Sequence, residues 1–267
     1  MTEENKDEKE PLNIVVVGAG GVGSWLLEGL CRLTQYNFPG SVITIVDGDA
    51  YEPHNKERQN FQEIGNKAQI MAMQLQPQYD SIYVLPDPRW VVFEIPEDSE
   101  SDEMVVASEL LEENALVFVT VDNFAARKAL FDAAQDYDNI HVFTGGNDDN
   151  LYGSYYHYHR EDGQNVTDHP SEWHPELVDP PDRNPGLLSC GERVALEGST
   201  QVLAANMAVA SLLLARTHLL VVDGQKEDHQ SEIFFDFSAG LPQAFDRRVE
   251  ETTDDEEELL VSASTTS

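Results

Sequence analysis

The segment Asn13-Ile14-Val15-Val16-Val17-Gly18-Ala19-Gly20-Gly21-Val22-Gly23-Ser24 decides the fold. Its first five residues are an apolar, β-branched run of the kind a strand carries when both faces of its sheet are covered. Glycines follow at Gly18, Gly20, Gly21 and Gly23, and a helix is predicted from about Val22 to Thr34. Strand, glycine loop and helix in that order form a phosphate seat. Glycine lets the backbone turn tightly and come close to a phosphate, and the helix N-terminus presents free N–H groups with a partial positive charge.

The same alternation continues along the chain. A second apolar strand, Ser41 to Asp47, ends in a carboxylate placed to accept a hydrogen bond from a ribose hydroxyl. The pattern then predicts a helix from Gly65 to Leu75, strands at Ser81 to Leu85, Ala115 to Val121 and Ile140 to Thr144, and a helix from Asn123 to Gln135. Gly145-Gly146 reads as the end of its strand. Pro86 to Asp102 reads as a surface excursion with one apolar island, Trp90 to Phe93, and Val105 to Leu111 as a helix. Strand and helix repeating in this way imply right-handed crossovers and a Rossmann-like α/β fold, a doubly wound, mostly parallel sheet.

The second half predicts an antiparallel continuation. Tyr152 to Arg160 alternates and Ile233 to Phe237 is a last strand. Between them lie a long loop over 161–188, rich in Pro, Asp and His, and an apolar helix from Ser199 to Leu220. A loop of that length inside a compact domain is usually functional. The expected organisation is an acidic, disordered lead over 1–11, one domain over 12–247, and an acidic tail over 248–267.

Composition narrows the function. The 267 residues carry 50 Asp and Glu against 16 Lys and Arg, a net charge of −34 spread along the chain. Nucleic acid is not expected as a partner, because phosphate backbones need a basic footprint. A high-salt cytoplasm would screen such a charge. No apolar run near the ~20 residues of a membrane span is visible, and the polar N-terminus is no secretory signal, so a cytoplasmic protein is expected. Two cysteines, Cys31 and Cys190, are too few for a disulfide framework or paired CxxC zinc sites.

By themselves the glycine loop and Asp47 favour an NAD- or FAD-dependent oxidoreductase over an ATP enzyme. Three further residues favour nucleotidyl transfer. Arg58 and Lys67 can neutralise phosphates and the charge developing at the α-phosphorus. Asp122, at the end of a parallel strand, stands where ligands of such sheets bind and can hold Mg²⁺. Each also has a plainer reading: Arg58 and Lys67 as solvated surface charges, Asp122 as the N-cap of the helix that follows.

Taken in order, these motifs resemble the ThiF/MoeB/ubiquitin-activating (E1-like) adenylyltransferase superfamily. The glycine loop Gly18 to Ser24 is similar to its first motif. Asp47-Gly48-Asp49 and Asn55-Lys56-Glu57-Arg58-Gln59 are similar to its Asp-x-Asp and Asn-x-x-Arg-Gln elements. Gly65-Asn66-Lys67 is similar to its Gly-x-x-Lys element, with a shorter connection from Gly to Lys, and Asp122-Asn123 with Arg127 looks like its metal-binding Asp. The resemblance implies an ATP-dependent adenylyltransferase that turns a carboxylate, the C-terminus of a small ubiquitin-like or sulfur-carrier protein, into an acyl-adenylate with release of pyrophosphate. It implies ATP on Gly18, Gly20, Gly21, Gly23, Asp47, Asp49, Asn55, Arg58, Gln59, Lys67 and Asn123, Mg²⁺ on Asp122, and a homodimer. A non-catalytic ATP-binding scaffold for a ubiquitin-like partner stays open. Homodimers of this family reach an N-terminal Arg into the partner's site; residues 1 to 13 here hold no Arg, only Lys6 and Lys9.

Two features lie outside that core. Cys190, beyond the long loop, is a candidate thioester nucleophile, with a structural thiol as the plainer reading. His157 and His159 share one strand face and, with His169, His174 and Asp168, could bind zinc; ordinary histidines are the reading preferred.

Overall fold

A computed structural model describes residues 9–97, 101–147, 151–188, 192, 202–225, 230–240 and 242–249. The opening strand β1 (Asn13–Val17) runs into α1 (Gly23–Asn37), and β2 (Val42–Val46) follows. A short antiparallel ribbon, β3 (Ala50–Tyr51) and β4 (Gly65–Asn66), brackets a 3₁₀ turn at Pro53–Glu57 and leads to α2 (Lys67–Leu75) and β5 (Tyr83–Asp87). Next come β6 (Trp90–Val92), β7 (Met104–Val106), the single turn α3 (Ala107–Leu110), β8 (Leu116–Val119), α4 (Phe124–Ala134) and β9 (Ile140–Asn147). The last part holds β10 (Tyr152–Glu161), β11 (Gln164–Asn165), α5 (Pro175–Val178), α6 (Leu203–Val221), β12 (Glu232–Asp236) and β13 (Gln243–Phe245).

Nine of these strands form one sheet in the order β13-β12-β10-β9-β8-β1-β2-β5, with β11 paired to β10. The run from β9 to β5 is parallel, and β10, β12 and β13 are antiparallel to their neighbours. Successive residues of β1 feed opposite cores. Ile14 and Val16 pack with α1, α2 and α6, and Val15 and Val17 with α4 and Leu177 of α5. That two-sided burial is why the strand reads as continuously apolar.

Several elements differ from the sequence expectation. Trp90–Val92 is no surface excursion: it pairs in parallel with Met104–Val106, and Val91 and Val92 are buried. Val105 and Val106 therefore belong to a strand, and the predicted helix shrinks to the turn Ala107–Leu110. Gly145-Gly146 does not end β9, which continues to Asn147. The loop over 161–188 carries β11, two 3₁₀ turns and α5. The chain stays in the fold through Val249, whose N–H donates to Val166 O at 3.0 Å.

Helix α6 is long and apolar enough to cross a bilayer by length and composition, which the sequence reading missed. Here it lies on the sheet, with Ala205, Asn206, Val209, Ala210, Leu213 and Thr217 buried.

Candidate active site

The carboxyl ends of β1, β2 and β8 meet at the glycine loop. Gly18 has φ +95°, a left-handed value that favours glycine, and a Cβ there would lie 2.8 Å from Val121 N. A Cβ on Gly23 would lie 1.9 Å from Gly18 O and 2.7 Å from the Thr120 hydroxyl. That hydroxyl donates to Gly18 O at 2.5 Å and locks the loop against β8. Gly20 differs: a Cβ there would meet only the Gln59 amide nitrogen, at 4.0 Å. The protein thus requires Gly18 and Gly23 for its own packing and leaves open space over Gly20.

Asp47, at the end of β2, binds the loop. Its Oδ2 accepts from Ala19 N–H at 2.7 Å and its Oδ1 from Asp49 N–H at 2.9 Å. Burial pushes its carboxyl up, against the opposing pull of Lys67 and these two donors. Asn66 caps α2 by accepting from Gln69 N–H at 3.1 Å, while its Nδ2 donates to Asp47 O and Asp49 O at 2.8 and 3.1 Å. The ribbon therefore brings the first residue of α2, Lys67, back under Asp47.

Lys67 is not a solvated surface charge. Its side chain is 10% exposed, and its ammonium contacts the Asp49 carboxylate. Burial pulls the amine down, but the carboxylates of Asp47, Asp49 and Asp122 outweigh it and hold the pKa above the ordinary lysine value. Lys67 thus links the ends of β2 and β8.

Asp122 is exposed, and its carboxylate makes no hydrogen bond among the described residues. It is not the helix cap. Asn123 caps α4, accepting from Ala126 N–H at 2.8 Å, and Asp182 from the long loop accepts from Phe124 and Ala125 N–H at 2.8 and 3.0 Å. Arg127 donates to Val121 O at 2.8 Å and Gly145 O at 3.3 Å, tying the end of β8 to β9. Burial pulls its pKa down, and Asp122 and Asp182 act against that.

Asn55 is buried and caps its own 3₁₀ turn, accepting from Glu52 N–H at 3.0 Å. Arg58 follows, half-buried. Gln59 is 7% exposed, and its Oε1 has no hydrogen-bond partner among the described residues. Its Nε2, 4.0 Å from where a Gly20 Cβ would lie, is placed to donate to a ligand in that open space. An uncommitted carboxylate at Asp122 likewise suits Mg²⁺, which takes one or two carboxylates with water and phosphate oxygens.

The long loop covers this edge. Asn184 Nδ2 donates to Val91 O at 2.7 Å, and a Cβ on Gly186 would lie 2.6 Å from Trp90 Cβ. Sequence reasoning missed Asp182, which lies in no periodic segment, and placed Trp90 on a surface excursion. Beyond Arg127 lies a cavity of about 280 Å³ lined by Phe124, Tyr152, Tyr156, His174 and Glu232 among others. Glu232 is buried there. Burial pushes its carboxyl up, but His174 (2.7 Å) and Arg247 (2.7 Å) override this and hold it low.

The remaining candidates separate. Cys190 lies outside the described residues. His157 and His159 share a sheet face as their spacing predicts, stacked with His141 and Phe143 and buried. Burial, helped by Arg216, pushes His157 down to about 3, so it is neutral. His169 packs on Phe131 and Tyr158 of the opposite core, and His174 pairs with Glu232. Among the described residues no His, Cys, Asp and Glu group could hold a metal ion on its own. Lys9 Nζ donates to Val221 O and Val222 O, both at 3.0 Å, at the C-terminus of α6. There it serves its own chain as a helix cap.

The model of the ThiF family matches residues 2–258. Among solved structures, PaaA superposes with a TM-score of 0.60 at 15% identity, over 90% of this chain and 65% of its own. MccB of E. coli, crystallised with AMPCPP and MccA, superposes with a TM-score of 0.60 at 14% identity over the same shares, 90% and 65%. TcdA of E. coli, a tRNA N6-threonylcarbamoyladenosine dehydratase, gives 0.50 at 20% identity over 80% of this chain and 88% of its own. At these identities the likeness is one of fold, and the chain spans 65% of the length of the PaaA and MccB chains. No curated protein matches the chain in sequence.

Proposed function

The chain belongs to the ThiF family, and on that premise we propose that it is an adenylating enzyme that transfers AMP from ATP to a carboxylate. The observation that carries this reading is the convergence of the glycine loop, buried Lys67 and Asp122 at the carboxyl ends of the central strands. An oxidoreductase has no use for a buried cation between three carboxylates at the phosphate end of its cofactor. A transfer at an α-phosphorus does, because negative charge grows there in the transition state.

In this reading the loop amides and the N-terminus of α1 bind phosphates over Gly20, and Asp47 accepts from the ribose. Arg58 and Lys67 neutralise the phosphate oxygens, Gln59 donates to the same ligand, and Asn55 acts by fixing the turn that carries Arg58. Asp122 would hold Mg²⁺, which supplies charge neutralisation at the phosphates. The substrate carboxylate oxygen attacks the α-phosphorus, the bond to the bridging oxygen breaks, and pyrophosphate leaves with that electron pair. The products are acyl-adenylate and pyrophosphate. No side-chain nucleophile is needed, so catalysis is positioning and electrostatics.

The carboxylate proposed is the C-terminus of a small ubiquitin-like or sulfur-carrier protein, and the functional unit a homodimer. MccB, whose fold is shared, is known in complex with MccA. The acyl chain would approach past Arg127. Cys190 as a later acyl acceptor and Asn123 as a nucleotide contact belong to the same proposal.

The test is ATP–pyrophosphate exchange in the presence of a small protein ending in Gly-Gly. Asp122→Asn is expected to lower exchange at least ~100-fold, the loss typical of removing one electrostatic contact to the reacting centre. Exchange at the wild-type rate in that variant would remove Asp122 from the mechanism.

A further inference from the structure

Segment 58–60 is strapped to the rest of the site by its backbone. Arg58 follows the turn Pro53–Glu57, and its N–H donates to Asn55 O at 3.1 Å. Two side chains from different helices converge on this one oxygen. The indole N–H of Trp25, in the first turn of α1, donates to Arg58 O at 3.1 Å. The amide of Asn206, in the first turn of α6, donates to the same oxygen at 3.5 Å. The next amide but one, Asn60 N–H, donates to the hydroxyl of Ser24, Trp25's neighbour, at 3.2 Å.

Asn206 is the unexpected member. It is 0% exposed in a helix whose other buried residues are Ala205, Val209, Ala210, Leu213 and Thr217. Its Oδ1 has no hydrogen-bond partner among the described residues. A buried amide with an orphaned oxygen opposes folding, so packing gives no reason for Asn at this position. Only the amide nitrogen can face a carbonyl oxygen, which fixes its orientation.

We infer that Trp25 and Asn206 are positioning residues that aim Arg58 at the nucleotide phosphates, and that through Asn206 helix α6 is mechanically tied to the phosphate seat. This rests on the reading of Arg58 as a phosphate contact. Trp25 sits on the helix that opens with the glycine loop, so the cation and the loop share one rigid mount. Asn206 braces that mount from the far side.

The variants are Trp25→Phe, which keeps an aromatic ring in place of the indole and removes the N–H, and Asn206→Leu, which keeps the bulk and removes both the donor and the orphaned oxygen. Each is compared with wild type and with Arg58→Ala by titration calorimetry with ATP plus Mg²⁺ and with adenosine, and by thermal melting. ATP affinity is expected to fall about fivefold in each variant and about tenfold in the double variant, as for loss of ordinary hydrogen bonds. Adenosine affinity is expected to hold, and the melting temperature of Asn206→Leu is expected to stay or rise. In an Arg58→Ala background the same changes are expected to have no further effect on ATP affinity, the non-additivity of residues acting through one group.

If Arg58→Ala loses ATP affinity while Trp25→Phe and Asn206→Leu keep it, the proposal falls and the phosphate role of Arg58 stands. Equal losses for ATP and adenosine, or additive losses in the Arg58→Ala background, also overturn it. Wild-type ATP affinity in Arg58→Ala removes the premise and the proposal together.

Discussion

Replacing Lys67 by Met keeps the side chain's length and removes its charge. The ammonium lies against Asp49 and faces Asp47 and Asp122. Removing one partner of a buried pair costs about 3–5 kcal/mol. Here Asp49 is 51% exposed and Asp122 is exposed, so water screens much of the charge left behind. That brings the expected loss to about 2 kcal/mol. In a domain of this size such a loss lowers the melting temperature by about 4–8 °C. The pH dependence is the sharper test. Burial already raises the Asp47 pKa, and Lys67 is the strongest influence opposing that rise. A carboxyl raised in the folded state contributes stability below its unfolded pKa of about 3.9, and that contribution is lost as pH rises through the folded value. Without Lys67 the folded value climbs further and the loss at neutral pH grows. The difference between wild type and Lys67→Met should therefore be largest near neutrality and shrink on acidification. Lys67's own raised pKa adds nothing to this window, because its contribution is lost only as alkaline pH passes through the folded value. Thermal melts of both proteins near pH 7.5 and about 4.5 measure the effect. A melting gap that is absent at the higher pH, or equally large at the lower, would refute the electrostatic account of Lys67.

Gly23→Ala places a Cβ 1.9 Å from Gly18 O. It should cost about 1–3 kcal/mol in melting experiments and abolish measurable ATP binding, and wild-type behaviour in both would contradict the loop geometry. Cys31 is fully buried, and burial above all pushes its thiol up to about 12. A thiol reagent near pH 8 should therefore leave Cys31 unmodified in the native protein and reach it only in denaturant; rapid native labelling mapped to Cys31 would count against that burial. Asp182→Ala removes the acceptor of two N–H groups at the start of α4. A loss of about 1 kcal/mol is expected by chemical denaturation, and no change would mean that water replaces the cap without penalty.

Much of the fold was legible because β1, β2 and β8 are buried on both faces, and such strands announce themselves as apolar runs. What failed was punctuation. Gly145-Gly146 read as a stop, yet the strand continues. A Cβ on Gly145 would lie 2.5 Å from Val209, and one on Gly146 2.9 Å from Arg127. Those glycines mark close approach rather than a turn. Val105 and Val106 read as helical because a helical turn does follow them, but β-branched pairs favour the strand that β6 offers. In the candidate site the spacing of Asp47, Lys67 and Asp122 was visible, and their burial was not. Lys67 and a surface lysine look alike in sequence; only the ribbon that folds Asn66 under Asp47 distinguishes them. Asp182 lies 58 residues from Phe124 in a stretch without period, so no local rule points to it.

The role of Asp122 turns on that distant residue. A carboxylate at the start of a helix is ordinarily captured by the free N–H groups there, where it gains a cap and a favourable dipole. Asp122 directly precedes Asn123, the cap of α4, so capture is what its position predicts. Here the first three N–H groups of α4 are taken by other residues: Asn123 takes that of Ala126, and Asp182 takes those of Phe124 and Ala125. Lys67 pulls from the other side without contact, since its ammonium is already engaged by Asp49. An exposed carboxylate at a strand end, without a cap or a contact ion pair among the described residues, is what supports the proposal that Asp122 holds the metal ion.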